Sequence, residues 1–368
     1  MLILAAVLLL TLIASAAAAA AAAYDHQKFL REDENQALDD LLQKVSGVYQ
    51  QTPTLADPLA AAELNRTVII TAANHGYLPH LSNFACFMHR MKMKFLTFAL
   101  DSKLFEETRD IEDMHVLHYN LSGINTSDIE DMSRQHEFRQ GFFNEITIRK
   151  LRAAYSVLAR GYNILFSDTD VAIVNDPISY LLSKKVDYAH SINDVCPMAG
   201  PFNISAGHEG NTGFYFVRSN VRTLNMWRQV IETFKHFPEF DDQSIFWNAL
   251  KSKNVSNFRV YENCTAEYLP TTVSGATDGS APFTLCGLNS CLFSSGMIRN
   301  WNSRSAFVSG LRGTAEGHRS YSVHANFVMK HAKKQENLHD FGLWLFERVA
   351  KVNGKKSILC RTLHCDTC

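Results

Sequence analysis

Between Arg66 and Pro177 the sequence alternates short β-branched runs with stretches of helical periodicity, and that alternation confines the chain to an α/β architecture. Arg66 to Ala73 (RTVIITAA) predicts a strand closed by Asn74-His75-Gly76, and Leu78 to Met91 predicts a helix. The unit repeats at once. Lys94 to Leu100 (KFLTFAL) and Val116 to Tyr119 are strand-like, and Phe142 to Arg160 sets Phe142, Phe143, Ile146, Leu151, Ala154, Tyr155 and Leu158 on one helical face. Strands separated by helices predict a mostly parallel sheet covered on both sides, with ligands gathering beyond the carboxyl ends of the strands.

The next strand carries the chemistry. Asn163 to Phe166 (NILF) is apolar and ends at Ser167-Asp168-Thr169-Asp170, ahead of Val171 to Val174 and a stop at Asp176-Pro177. Two carboxylates flanking one residue at the mouth of a parallel sheet suit a hard divalent cation, which can bridge a diphosphate and stabilise charge as it leaves. Three readings fit the pair. One is transfer of a sugar from a nucleotide-sugar donor. A second is haloacid-dehalogenase-like phosphoryl hydrolysis with Asp168 as nucleophile, although Ala172 stands where that pattern expects Thr or Val. In the third the two acids cap the following turn and hold no metal.

Further along, Asn211-Thr212-Gly213 opens the strand Phe214 to Val217, a helix spans Val221 to Phe237, and Asp241-Asp242-Gln243 opens another over Ser244 to Leu250. Either Asp241 or Asp242 can serve as that helix's N-cap. Tyr321 to Val328 holds His324 and Asn326, followed by Lys330 and His331.

Residues 1–23 contain no charged side chain and end in an alanine tract. As a helix they reach roughly 35 Å, against a hydrocarbon core of about 30 Å. A cleaved signal peptide and an uncleaved signal anchor both fit, and both send the rest into the secretory pathway. The expected destination is a type II Golgi membrane protein, or a secreted one if the segment is cleaved. Six N-x-S/T sequons, at Asn65, Asn120, Asn125, Asn203, Asn254 and Asn263, agree with that address. An oxidising lumen predicts that most of the eight cysteines are disulfide-bonded. Cys86, inside an amphipathic helical run, is the one expected to stay a free thiol. The Cys360, His364, Cys365, Cys368 cluster reads as structural disulfides ahead of a zinc or redox site. Residues 24–64 predict a polar stem or an N-terminal helix packed on the domain, and residues 65–368 the domain itself. With 36 basic and 37 acidic residues the chain has no global field for collecting nucleic acid, so an anionic ligand must be held by local design.

TAANHGY at Thr71 to Tyr77, ARGYNILFSDTDVAIVNDP at Ala159 to Pro177, NTGFYFVRS at Asn211 to Ser219, Asp242-Gln243 and VHAN at Val323 to Asn326 occur in an order that resembles the nucleotide-diphospho-sugar transferase family. Its best-known members are plant and algal xylosyl- and arabinosyltransferases of the Golgi. The resemblance implies a GT-A-like mixed, mostly parallel sheet flanked by helices. It also implies a glycosyltransferase moving a pentose or galactose from a UDP-sugar to a glycan or glycoprotein acceptor, with retention. Asp168 and Asp170 then bind Mn²⁺ or Mg²⁺ with the diphosphate, and His324 completes the metal shell. Thr71, Ala72, Asn74 and Tyr77 border the nucleotide, and Lys150 with Arg149 answers the phosphates. Asn211, Thr212 and Gly213 border the sugar, and Asp242 and Gln243 lie beside the anomeric carbon. A lumenal carbohydrate-binding GT-A domain without turnover is the alternative on the same fold. Ala172 and Ile173 depart from the bulkier plant segment, which leaves the donor sugar open.

Overall fold

The computed structural model describes residues 30–50, 58–119, 133–134, 143–193, 210–251, 259–260, 266–268, 283–290, 292–295, 320–326, 328 and 330–362. Among the described residues the main sheet has nine strands in the order β3-β2-β1-β4-β7-β6-β10-β9-β8. These are β1 Thr67–Ala73, β2 Leu96–Ala99, β3 His115–His118, β4 Asn163–Ser167, β6 Tyr188–Ile192, β7 Gly210–Val217, β8 Arg259–Val260, β9 Ala266–Tyr268 and β10 Phe283–Gly287. β1 pairs in parallel with both β2 and β4, and β2 with β3, whereas β7 runs antiparallel to its neighbours β4 and β6. The mixed, mostly parallel α/β sheet is the predicted one.

Why β1 sits at the centre is visible in its composition. All seven of its residues are buried, and they alternate between two cores: Val68, Ile70 and Ala72 face one side, Ile69 and Ala73 the other. A strand covered on both faces has no solvent side, so it reads as a continuous apolar run. On the first face lie α1 (Glu32–Val45), α5 (Phe143–Leu158), α7 (Val221–His236) and α8 (Asp242–Lys251). The second face takes α3 (Leu78–Arg90), which follows α2 (Pro58–Asn65), and also α6 (Ile178–Ser183); α4 (Ser102–Thr108) lies between β2 and β3. Within the segment read as a stem, Leu38, Leu42 and Val45 of α1 are in the main core, so this helix packs on the domain.

From β1 the chain moves outward through β2 and β3, then returns to place β4 on the other side of β1. The connections therefore reverse at the β1/β4 crevice, where open α/β sheets bind ligands. Beyond that crevice, β5 (Val171–Ile173) joins a small sheet with β11 (Phe293–Ser295) and β12 (Ser322–His324) in the order β11-β12-β5.

After α9 (His331–Asp340) comes an antiparallel hairpin, β13 (Phe346–Val352) and β14 (Lys355–Cys360). Asn353 and Gly354 at its turn both have positive φ, 50° and 84°, as a type I′ connection requires. Asn83 on α3 fastens the hairpin: its amide nitrogen donates to Leu343 O at 3.0 Å, and its oxygen accepts from Leu345 N at 2.6 Å.

A disulfide joins Cys86 of α3 to Cys360 of β14, which corrects the expectation of a free Cys86. Helical periodicity placed Cys86 on a buried face but carried no information about which strand covers it. Cys286 is also disulfide-bonded. Cys196, Cys264, Cys291, Cys365 and Cys368 lie outside the described residues, as do the apolar N-terminus and every sequon asparagine except Asn65. Among the described residues no helix is long and apolar enough to cross a membrane.

Candidate active site

A cavity of about 360 Å³ opens at the β1/β4 crevice. Its walls come from the end of β1 (Ala72, Ala73, Asn74), the turn after β4 (Asp168, Thr169, Asp170), the start of β7 (Asn211, Thr212, Gly213) and the first turn of α8 (Asp242, Gln243). Tyr77, Lys150 and His324 also line it. Of the residues singled out in the sequence, Thr71 and Arg149 do not. Thr71 is fully buried within β1, and Arg149 points from α5 toward Leu100 O, 3.2 Å from its Nη1. Lys150, one residue on, is rotated by about 100° around the helix and faces the acids.

Two charge clusters fill the floor. In the first, Lys150 Nζ lies 2.9 Å from Asp168 Oδ1 and 3.3 Å from Asp242 Oδ2. Burial opposes the lysine's charge, but the two carboxylates outweigh it and hold Lys150 well above its ordinary value. In the second, Asp170 Oδ1 lies 3.2 Å from His324 Nε2, and its Oδ2 is 2.6 Å from Lys334 Nζ. Burial here works against ionisation of Asp170, yet Lys334 and then His324 more than offset it, and the carboxyl stays well below the usual range. Tyr77 is pushed well above the ordinary phenol value by burial and then by Asp170 and Asp168, so it enters the cavity as a neutral hydroxyl.

His324 reaches this point because β12 pairs antiparallel with β5, matching His324 to Val171, and Ala325 N donates to Asp170 O at 3.0 Å. Oxygen or nitrogen atoms of Asp168, Asp170 and His324 all lie within 4.8 Å of one another. The donor set of two carboxylates and one imidazole suits a divalent ion such as Mn²⁺. His324 Nδ1 is buried without a hydrogen-bond partner. Gly213 keeps the space open: a Cβ there would collide with His324 Cε1 and lie 2.7 Å from Asp168 Oδ2 and 2.8 Å from Asn211 Oδ1. The residues present therefore fit a bound cation.

The helix start at Asp241-Asp242 divides two tasks. Asp241 is the cap, its Oδ1 accepting from Ser244 N at 2.8 Å, and Asp242 is left to turn toward Lys150. Burial pushes Asp242 up to about 6; Lys150 lowers it, and Asp168 and Asp241 raise it.

Sequence reasoning missed Lys334, Thr147 and Asn193 as cavity residues. Thr147 Oγ1 accepts from Asp242 N at 3.2 Å, and Asn193 Oδ1 accepts from Asn211 and Asn326 at 3.2 and 3.1 Å.

A fold of this order with an acid pair at its topological switch point defines a site for a phosphorylated ligand. The chain belongs to the nucleotide-diphospho-sugar transferase family, whose profile matches residues 91–338. That match displaces the phosphohydrolase alternative. It is 28% identical over 206 residues to an uncharacterized Arabidopsis thaliana protein, covering 52% of this chain and 58% of that one. Over 174 residues it is 28% identical to the beta-arabinofuranosyltransferase RAY1 of the same plant, covering 46% of this chain and 30% of RAY1. The chain thus spans less than two thirds of the length of either relative. With the A. thaliana UDP-D-xylose:L-fucose alpha-1,3-D-xylosyltransferase 1 it shares 24% identity over 302 residues, 80% of this chain and 74% of that protein. The crystal structure of the galactosyltransferase LgtC with donor and acceptor sugar analogs aligns with a TM-score of 0.40 and 12% identity, over 75% of this chain and 94% of that one.

Proposed function

We propose that the chain is a GT-A-like, metal-dependent glycosyltransferase that moves a pentose or galactose from a UDP-sugar to a glycan or glycoprotein acceptor in the secretory pathway, with retention. The observation that carries the reading is the convergence of Asp168, Asp170 and His324 within 4.8 Å at the mouth of the sheet, in a cavity that also presents Lys150, Lys334 and several side-chain amides. Asp168, Asp170 and His324 would hold Mn²⁺ or Mg²⁺, which when bound neutralises a diphosphate leaving group. Lys150 and Lys334 are positioned to exchange their carboxylate partners for phosphate oxygens, since each ammonium already faces the cavity.

Ala72, Ala73 and Asn74 end the first strand without bulk, leaving room for a nucleoside, and Tyr77 offers it a neutral hydroxyl. Asp242 lies across Lys150 from Asp168, so its carboxylate can face the positive charge that develops at the anomeric carbon. As the bond from that carbon to the diphosphate oxygen breaks, its electron pair leaves with UDP. The acceptor oxygen bonds to the carbon on the same face, and its proton passes to the departing phosphate. Asn211 and Gln243 flank this space and orient sugar hydroxyls by hydrogen bonds.

The test is UDP release from a panel of UDP-sugars, with and without Mn²⁺, alongside calorimetric titration of UDP. Asp170→Asn and His324→Ala are expected to abolish metal-dependent release and to weaken UDP binding. UDP binding that ignores the cation, or near-normal release by both variants at saturating Mn²⁺, would overturn the proposal.

A further inference from the structure

α9 is a wall shared by two cavities. Its His331 and Lys334 line the donor cavity, whereas Gln335 and His339 line a second one, of about 570 Å³, between α9 and the β13–β14 hairpin. That volume falls in the range of about 300–1,000 Å³ typical of small-ligand sites. Trp344 and Phe346 supply aromatic surface, and Arg348, Arg361 and Glu347 supply charge. We propose that this second cavity binds a saccharide unit bearing a carboxylate, at a position distinct from the donor site.

Charge comes first. The hairpin concentrates Arg348, Lys351, Lys355, Lys356 and Arg361 against the single acid Glu347, on a chain whose net charge is −1. Lys355 is engaged by Glu112 at 2.9 Å, and Arg361 is in loose contact with Glu347 at 3.5 Å. Arg348 has no carboxylate within ion-pair distance among the described residues. Two guanidinium groups and one carboxylate leave the lining with one net positive charge, which a single ligand carboxylate would balance with a planar, bidentate contact.

Shape comes second. The Trp344 ring is fixed, stacked on His339 at 5.6 Å and 25° and met edge-on by His80 at 5.4 Å. Backed by this buried ring, the half-buried Phe346 offers apolar contact for sugar C–H groups, beside the planar amide, imidazole and guanidinium groups of Gln335, His339 and Arg348, which can pair with adjacent hydroxyls. Choosing a saccharide over another carboxylate rests on the transferase reading above. His80 also lies 6.1 Å from the rings of both His331 and Tyr77, so one aromatic chain connects Trp344 to the donor cavity.

The experiment is isothermal titration of the full chain, without UDP or metal, using a hyaluronan tetrasaccharide, neutral chitotetraose and inorganic sulfate. Binding of the acidic tetrasaccharide is expected to exceed that of the other two at least tenfold. R348Q/R361Q should weaken it at least tenfold, with R348K/R361K, which keeps charge but not the fork, in between. Both arginines are exposed, so circular dichroism should show the fold unchanged. K351Q/K356Q, outside the cavity, and D170N, in the donor site, should alter binding less than twofold. D170N also separates the two proposals, because it disables the donor site alone. The inference is overturned by absence of tetrasaccharide binding, by equal binding of chitotetraose or sulfate, by an unaffected R348Q/R361Q, or by an equal loss in K351Q/K356Q or D170N.

Discussion

Replacing Asp242 by asparagine should make the protein more stable and nearly inactive at the same time. The carboxyl ionises near 6 in the folded chain because burial disfavours its charge more than Lys150 favours it, against 3.8 for an unperturbed carboxyl. A raised pKa means the folded state holds this proton more tightly than the unfolded one, so stability falls as pH rises from about 4 through 6. The shift of roughly two units corresponds to on the order of 3 kcal/mol at neutral pH. Asparagine keeps the shape of the protonated acid without that cost. The expected gain is about 1–3 kcal/mol at pH 7.5, or roughly 2–4 °C in Tm, shrinking to about 1 kcal/mol or less at pH 4.5. Thermal unfolding of both proteins in chelator at the two pH values reads this directly. UDP release by the variant should fall by about 100-fold or more, the usual effect of removing one charged group from a transition state. A variant destabilised at pH 7.5, or stabilised equally at both pH values, would refute the electrostatic reasoning. A stable variant with normal turnover would remove Asp242 from the reaction while leaving its energetics intact.

Gly213→Ala should raise the Mn²⁺ concentration needed for half-maximal UDP release at least tenfold, because the added methyl displaces His324 and crowds Asp168 Oδ2; a normal metal titration would show that the cradle tolerates a side chain. Cys86→Ser with Cys360→Ser should lower the free energy of unfolding by about 2–4 kcal/mol in urea titrations, since the bond closes a loop of 274 residues, and an unchanged midpoint would show that Asn83 alone fastens the hairpin.

What the sequence revealed and what it hid divide along chain distance. β1, β4, α3, α5 and α7 follow from local periodicity, and their observed bounds differ from the expected ones by a residue or two. The acid pair was legible because its setting, an apolar run followed by two carboxylates, is contained in eight consecutive residues. Lys334 was not legible, because its partner Asp170 is 164 residues away and a lysine on an exposed-looking helix has no local sign of being paired. Thr71 was placed in the site although alternation along β1 already assigns Ala72 and Thr71 to opposite faces. The hairpin was a different kind of miss. Asn353-Gly354 between Val352 and Ile358 is a strong local turn signal, and it was there to be read.

The pairing of β12 with β5 has a consequence for how the protein is made. Asp168 and Asp170 leave the ribosome about 155 residues before His324, and at about 5–20 residues per second that interval lasts roughly 8–30 s. During it the nascent chain holds both acids on a sheet that can already begin to form, but no imidazole to complete their shell. Ser322 to His324 must arrive and zip against Val171 to Ile173 before a cation can be gripped by all three side chains. A chain truncated anywhere upstream of that strand therefore lacks the full ligand set, however well its first half has folded. On the proposed reading, a cation could therefore be held by all three side chains only after Ser322 to His324 has been made and paired.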